Sequence, residues 1–198
     1  MTVNACLSIE ANSLRMTISI GVRPRRLLVA VAFAFLVAPA LLAQDRIMSA
    51  PEGLLDKMTG RWVLTGTIAK RPTTHDVDVD WMLNRQYIRI HEVSRDKDAS
   101  GVIGYEAWIY IVWDPKASEY AVMWLDNTAA TNFSGEGVGH AKPDGERIPF
   151  IFKFADGSGI RTTFAYDRAT DTWAWTIHNL DKSGNASPFA NVVLVRKK

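Results

Sequence analysis

The sequence predicts an all-β domain: a single antiparallel meander closed into a barrel of about eight to ten strands, with a short N-terminal helix, preceded by a signal peptide. Three observations carry this. After Gly60 the chain reads as short runs rich in β-branched and aromatic residues, separated by turn chemistry such as Asp114-Pro115, Pro143-Asp144-Gly145, Asp156-Gly157 and Lys182-Ser183-Gly184-Asn185. No later stretch carries a helical apolar pattern of useful length, which argues against an α/β fold. All seven Trp residues fall within the strand-like runs: Trp62, Trp81, Trp108, Trp113, Trp124, Trp173 and Trp175. A lone sheet cannot bury so many large rings, whereas a closed barrel supplies an interior and removes exposed edges.

The chain has 198 residues, the size of one domain. Apolar residues make up 47% and charged residues 22%, a globular composition. Arg23, Arg25 and Arg26 precede an unbroken apolar run from Leu27 to Ala38. Pro39 follows, then small residues, then Gln44-Asp45-Arg46. A basic segment, a short apolar segment and small residues before polar sequence describe a secretory signal, with cleavage expected after Ala43. The domains are thus residues 1–43, N-terminal extension and signal peptide, and residues 44–198, the barrel. Met16 offers an alternative start. An uncleaved anchor would have to span with fewer than the ~20 apolar residues needed and with Pro39 inside it. Arg25-Arg26 also loosely matches a twin-arginine signal. The expected location is the periplasm or the exterior.

Residues 1–43 hold four of the 23 basic residues and one of the 21 acidic ones, so residues 44–198 carry 19 against 20 and a net charge of −1. That near-neutrality points away from nucleic acid and from an anionic membrane surface. The single Cys, Cys6, lies ahead of the apolar run, so the mature chain has no disulfide and no Cys-rich metal site.

Ser49-x-x-Glu52 has capping-box form with Pro51 between, and Leu54, Leu55 and Met58 form a helical stripe that Gly60 ends. Strands are then expected at Arg61–Lys70, His75–Met82, Tyr87–Val93, Tyr105–Trp113, Glu119–Asp126, Thr131–His140, Arg147–Phe154, Ile160–Tyr166, Thr172–Leu180 and Asn191–Arg196. Short connections make neighbours antiparallel. Within the second strand Val77, Val79 and Trp81 oppose Asp76, Asp78 and Asp80. Later, Ile148, Phe150, Phe152 and Phe154 share a face.

Gly60-Arg61-Trp62 opens the first strand directly after the helix, and Arg196 ends the last. This arrangement resembles the lipocalin superfamily, in which a Gly-x-Trp opens the barrel and a late basic side chain packs on the indole. The stretch from Leu54 to Arg196 is also similar to a bacterial family of lipocalin-like, calycin-type barrels catalogued as a domain of unknown function. That likeness lies in Leu55-x-x-Met58-x-Gly60-x-Trp62, Trp81-x-Leu83, Tyr110-x-x-Trp113-Asp114-Pro115, Trp124-Leu125-Asp126 and Arg161-Thr162-Thr163-Phe164. The resemblance implies a fold and says little of chemistry. It implies barrel closure by Gly60, Trp62 and Arg196, with the guanidinium over the indole contributing about 0.5–2 kcal/mol.

Candidate chemistry is sparse. Asp76, Asp78 and Asp80 form a carboxylate stripe that a Ca²⁺ site or acid–base chemistry could use, but alternate strand residues stand about 7 Å apart and the solvated outer face of an antiparallel strand is the favoured reading. No His-Glu-x-x-His occurs among His75, His91, His140 and His178, and no metal is expected. Haem-binding nitrobindin barrels resemble this architecture and carry a proximal His on a late strand, a role His178 could fill. Tyr87, Arg89 and His91 share one face opposite Ile88 and Ile90, and either face can be the inward one. Gly135-Glu136-Gly137-Val138-Gly139 lacks the Lys and the following helix of a phosphate loop; alternate glycines suit sharp strand curvature or close backbone approach.

The expected function is binding of a small apolar or amphipathic molecule inside the barrel, with no cofactor. The candidate lining is Trp81, Tyr87, Arg89, His91, Trp124, Phe152 and His178. The alternatives are an isomerase or hydrolase with His91 or His178 as acid–base and Arg89 or Tyr87 as electrophilic partner, a haem barrel, or a partner-binding module with a packed core.

Overall fold

A computed structural model describes residues 53–128 and 135–198. The signal-peptide expectation and Ser49–Glu52 lie outside these residues. A five-residue helix α1 (Leu54–Met58) leads into ten strands: β1 (Gly60–Ile68), β2 (Arg71–Met82), β3 (Tyr87–Ser94), β4 (Glu106–Asp114), β5 (Glu119–Asp126), β6 (Val138–Ala141), β7 (Arg147–Lys153), β8 (Gly159–Asp167), β9 (Thr172–Leu180) and β10 (Ala186–Arg196). Each strand pairs antiparallel with its sequence neighbours, and β10 returns to β1 to close the barrel. Closure gives every strand a neighbour on both sides among the described residues, the solution that an aromatic-rich meander requires.

The boundaries depart from the sequence expectation where the turn residues are unusual. β1 and β2 are joined by the two-residue turn Ala69-Lys70, both left-handed (φ 49° and 66°), with Ile68 paired to Arg71. Two left-handed residues match the twist of a tight hairpin, but Ala and Lys carry none of the usual sequence signal for it. β2 therefore begins four residues earlier than His75. β10 likewise starts at Ala186 and bulges between Pro188 and Ala190. Gly135–Gly137 forms a 3-10 turn, not strand, and the expected Thr131 start lies outside the described residues. At the helix, Gly53 takes the N-cap position with φ 60° and no side-chain cap bond.

The interior follows the pleat. Val77 and Val79 of β2, Ile88 and Ile90 of β3, Ile109 and Ile111 of β4, and Phe150 and Phe152 of β7 are all buried. Six of the seven Trp residues belong to this core or pack against it; Trp108 instead lies on the outer wall.

The α1 end is filled. Met58, Trp62, Val79, Phe164, Trp173 and Leu194 surround a residual gap of only about 10 Å³. Trp62 is fully buried and its Nε1–H donates to Met58 O at 2.8 Å. Arg196 closes this end: its Cζ stands 4.2 Å from the Trp62 ring centroid, Nη1 donates to Thr59 O at 2.9 Å, and Nε pairs with Asp171 at 2.5 Å. Gly60 sits beneath it at φ 125°, where a Cβ would stand 2.7 Å from Arg196 Nη1. The closure residues Gly60, Trp62 and Arg196 thus meet at one point, tying the last strand to the helix exit.

Candidate functional site

The opposite end of the barrel is hollow. A cavity of about 630 Å³ lies between the walls there, in the range of small-molecule sites. Its deeper wall is apolar and aromatic, with Leu64, Trp124, Phe152, Trp175, Ile177 and Val192. Toward the open end it meets exposed Arg71, Thr128 and Phe189. Trp124 and Trp175 pack ring to ring at 5.5 Å, and Trp175 Nε1 donates to buried Thr162 Oγ1 at 2.6 Å. Gly139 permits close approach of β6: a Cβ there would meet the Phe152 ring at 2.8 Å. Gly139 thus has the close-approach role, whereas a Cβ at Gly135 would meet nothing within 4 Å.

Set into this wall is a buried polar chain. His75 and Glu92 are 3% and 1% exposed. His75 shares the inward face of β2 with Val77 and Val79, and Glu92 shares that of β3 with Ile88 and Ile90. Glu92 Oε1 lies 2.5 Å from His75 Nδ1, and His75 Nε2 lies 2.7 Å from Thr73 Oγ1. Both imidazole nitrogens are therefore engaged. Glu92 Oε2 is buried and has no hydrogen-bond partner among the described residues. Burial pushes the Glu92 carboxyl above its ordinary value, against the opposing pull of His75. Tyr105 stacks on His75 with ring centroids 5.5 Å apart. Burial, then the charges of Glu92 and Asp126, push its phenol strongly upward. Its environment thus favours the neutral phenol.

The sequence-derived candidates divide. Trp124 and Phe152 line the cavity. Trp81 has the inward phase but sits at the α1 end, where its Nε1–H donates to Asp56 Oδ1 at 2.8 Å and Arg85 stacks on its ring. Tyr87, Arg89 and His91 fall on the outer wall, because their strand neighbours Ile88 and Ile90 take the interior. Arg89 grips Asp80 at 2.8 Å, and His91 stacks on Trp108 at 3.9 Å and meets Glu106 at 2.7 Å. These three cannot serve as an internal acid–base set. His178 pairs across to Arg161 and Pro188 on the register opposite to Trp175 and Ile177, so it does not reach the cavity as the haem reading required.

The aspartate stripe is an outer face. Asp76 takes Arg95 at 2.8 and 2.9 Å and Lys197 at 3.0 Å, and those cations hold its carboxyl far below the usual range. Among the described residues no group of three or more His, Cys, Asp or Glu side chains could hold a metal ion.

His75, Glu92 and Tyr105 were not among the candidates, although the signal was present. Each stands in phase with apolar strand residues: His75 with Val77 of β2, Glu92 with Ile90 of β3, and Tyr105, just ahead of β4, with Ala107. A polar residue that keeps the buried phase is the mark of an interior polar site. No protein-family model matches this chain, and no curated protein matches it.

Proposed function

We propose that the protein is a lipocalin-like, calycin-type barrel that takes a small amphipathic molecule into the cavity opposite α1. The observation that carries this reading is the cavity itself: about 630 Å³ with a mainly apolar wall and one buried polar station at His75–Glu92. Burial of ligand surface at about 25 cal/mol per Å² supplies affinity, and the polar station supplies orientation. The kinship is supported by the Gly60–Trp62–Arg196 closure, and export to the periplasm or exterior by the sequence of residues 23–43.

The test is titration with the neutral fluorophore N-phenyl-1-naphthylamine. Saturable one-to-one binding is expected, and Ala190→Trp, which projects an indole into the cavity from a position only 5% exposed, abolishes it. No saturable binding to the wild type, or undiminished binding to a folded A190W variant, overturns the reading.

One observation favours a second reading. Thr73, His75 and Glu92 are connected in the order of a hydroxyl, a base and an orienting acid, and Thr73 also lines the cavity. Hydrolysis of p-nitrophenyl esters that disappears in Thr73→Val would support an acyl hydrolase; equal rates in both would remove it.

A further inference from the structure

The polar groups around the cavity are of one predominant sign. Four carboxylate side chains line it, Glu92, Asp96, Asp126 and Glu136, against one guanidinium, Arg71, and one imidazole, His75. Arg71 is exposed at the rim, whereas Glu92 is the deepest of the charged groups at 1% exposure. The chain as a whole does not share this bias, since its basic and acidic residues nearly balance. The acidic character therefore belongs to the cavity.

Glu92 also has an unmet requirement. Oε1 is taken by His75 Nδ1, and the other imidazole nitrogen is taken by Thr73. The imidazole consequently has no N–H left for Oε2, which stays buried without a partner among the described residues. A carboxylate oxygen in apolar surroundings costs free energy until a donor reaches it, and a cationic donor offsets most. The flanking groups suit a cation. Tyr105 stacks beside His75, and both Tyr105 and Trp124 line the cavity that Glu92 lines, so electron-rich rings are at hand for a cation. Free carboxylate ligands fit poorly, because their charge would face Glu92 and Asp126.

We infer that the ligand is an amphipathic organic amine, its ammonium group donating to Glu92 Oε2 beside Tyr105 and its apolar body lying against Trp124, Phe152 and Trp175. This rests on the reading of the cavity as a ligand site. His75 is a positioning residue: it holds Oε1 and so leaves Oε2 as the oxygen still without a donor. Glu136 contributes charge near the mouth while its Oε1 accepts from Ala155 N at 2.7 Å.

The test compares head groups on constant tails. The purified protein is titrated with decylammonium, decanol and decanoate, each below its micelle concentration, and with naphthylmethylammonium and naphthylmethanol. Quenching of the cavity tryptophans and calorimetry report binding. The expected order is ammonium over alcohol by tenfold or more, with carboxylate weakest. Glu92→Gln keeps an acceptor for His75 but turns an N–H₂ toward the ligand, and is expected to bring the ammonium down to the affinity of the alcohol. Alcohol equal to ammonium, carboxylate tightest, or an unchanged ammonium preference in folded E92Q overturns the amine assignment and leaves the ligand cavity standing. Binding of no probe on either tail overturns the cavity reading and the amine assignment with it. Should E92Q fail to fold, the head-group order on the wild type decides alone.

Discussion

Replacing Arg196 by Ala removes several interactions at once from the filled end of the barrel. The guanidinium lies 4.2 Å from the Trp62 centroid and donates to Thr59 O at 2.9 Å and Lys57 O at 3.2 Å. The stacking contributes about 1 kcal/mol in this half-exposed setting. The two bonds to carbonyls at the exit of α1 contribute about 1 kcal/mol each. The Asp171 pair is 39% and 47% exposed, so it adds only about 0.2–1 kcal/mol. Together the loss is about 3–4 kcal/mol, or about 6–16 °C in Tm for a domain of this size. Arg196→Lys keeps the charge but not the fork that bridges carbonyls, ring and carboxylate, and should lose about half as much. Thermal and urea unfolding followed by tryptophan fluorescence measure both variants. A loss below about 1 kcal/mol in R196A, or a lysine variant as stable as wild type, would refute the closure argument, since a point charge alone would then suffice.

Three further expectations follow from other parts of the barrel. His75→Leu leaves Glu92 with both oxygens unpaired in the interior and should cost about 3–5 kcal/mol, whereas the H75L/E92L double variant should recover most of that; a double variant as unstable as the single one in thermal melts would contradict it. Gly66→Ala should be far more damaging than Gly145→Ala: a Cβ at Gly66 would stand 2.3 Å from Asn191 O, while at Gly145 nothing lies within 4 Å and only the left-handed φ of 57° resists. Equal midpoints in urea would argue against that close approach of β1 to β10. Asp76, held below its ordinary value of 3.8 first by Arg95 and then by Lys197, stabilises the fold above that value and loses its contribution as pH falls through and below it. Asp76→Asn should therefore be less stable than wild type at pH 7, with the gap narrowing below about pH 4; a gap that stays constant with pH would show that the carboxylate is not ion-paired.

The strand order and most strand limits were legible because period-2 patterning is a local property. The Val77–Val79 and Ile148–Phe154 alternations each identify one buried face. The errors lie where local chemistry is uninformative: the Ala69-Lys70 turn carries no Gly, Asn or Asp, and its left-handed geometry is imposed by the pairing of β1 with β2. The site was less legible. Trp124 and Phe152 were found from phase, but Tyr87, Arg89 and His91 form as good a polar face as His75 and Glu92 do, and only β3's neighbours decide which face is enclosed.

The sequence by itself determined an antiparallel meander with one short helix and a barrel-sized aromatic content, because each depends on residue type and spacing along one or two strands, while the Gly60–Trp62–Arg196 closure was implied by its resemblance to lipocalins. The tertiary structure decided where the barrel is solid and where it is hollow, and which polar residues face the hollow. Those depend on side chains from β1 to β10 meeting across the interior: the Trp173, Phe164 and Met58 rings and chains fill one end, while His75 and Glu92, 17 residues apart, share a hydrogen bond in the wall of the other.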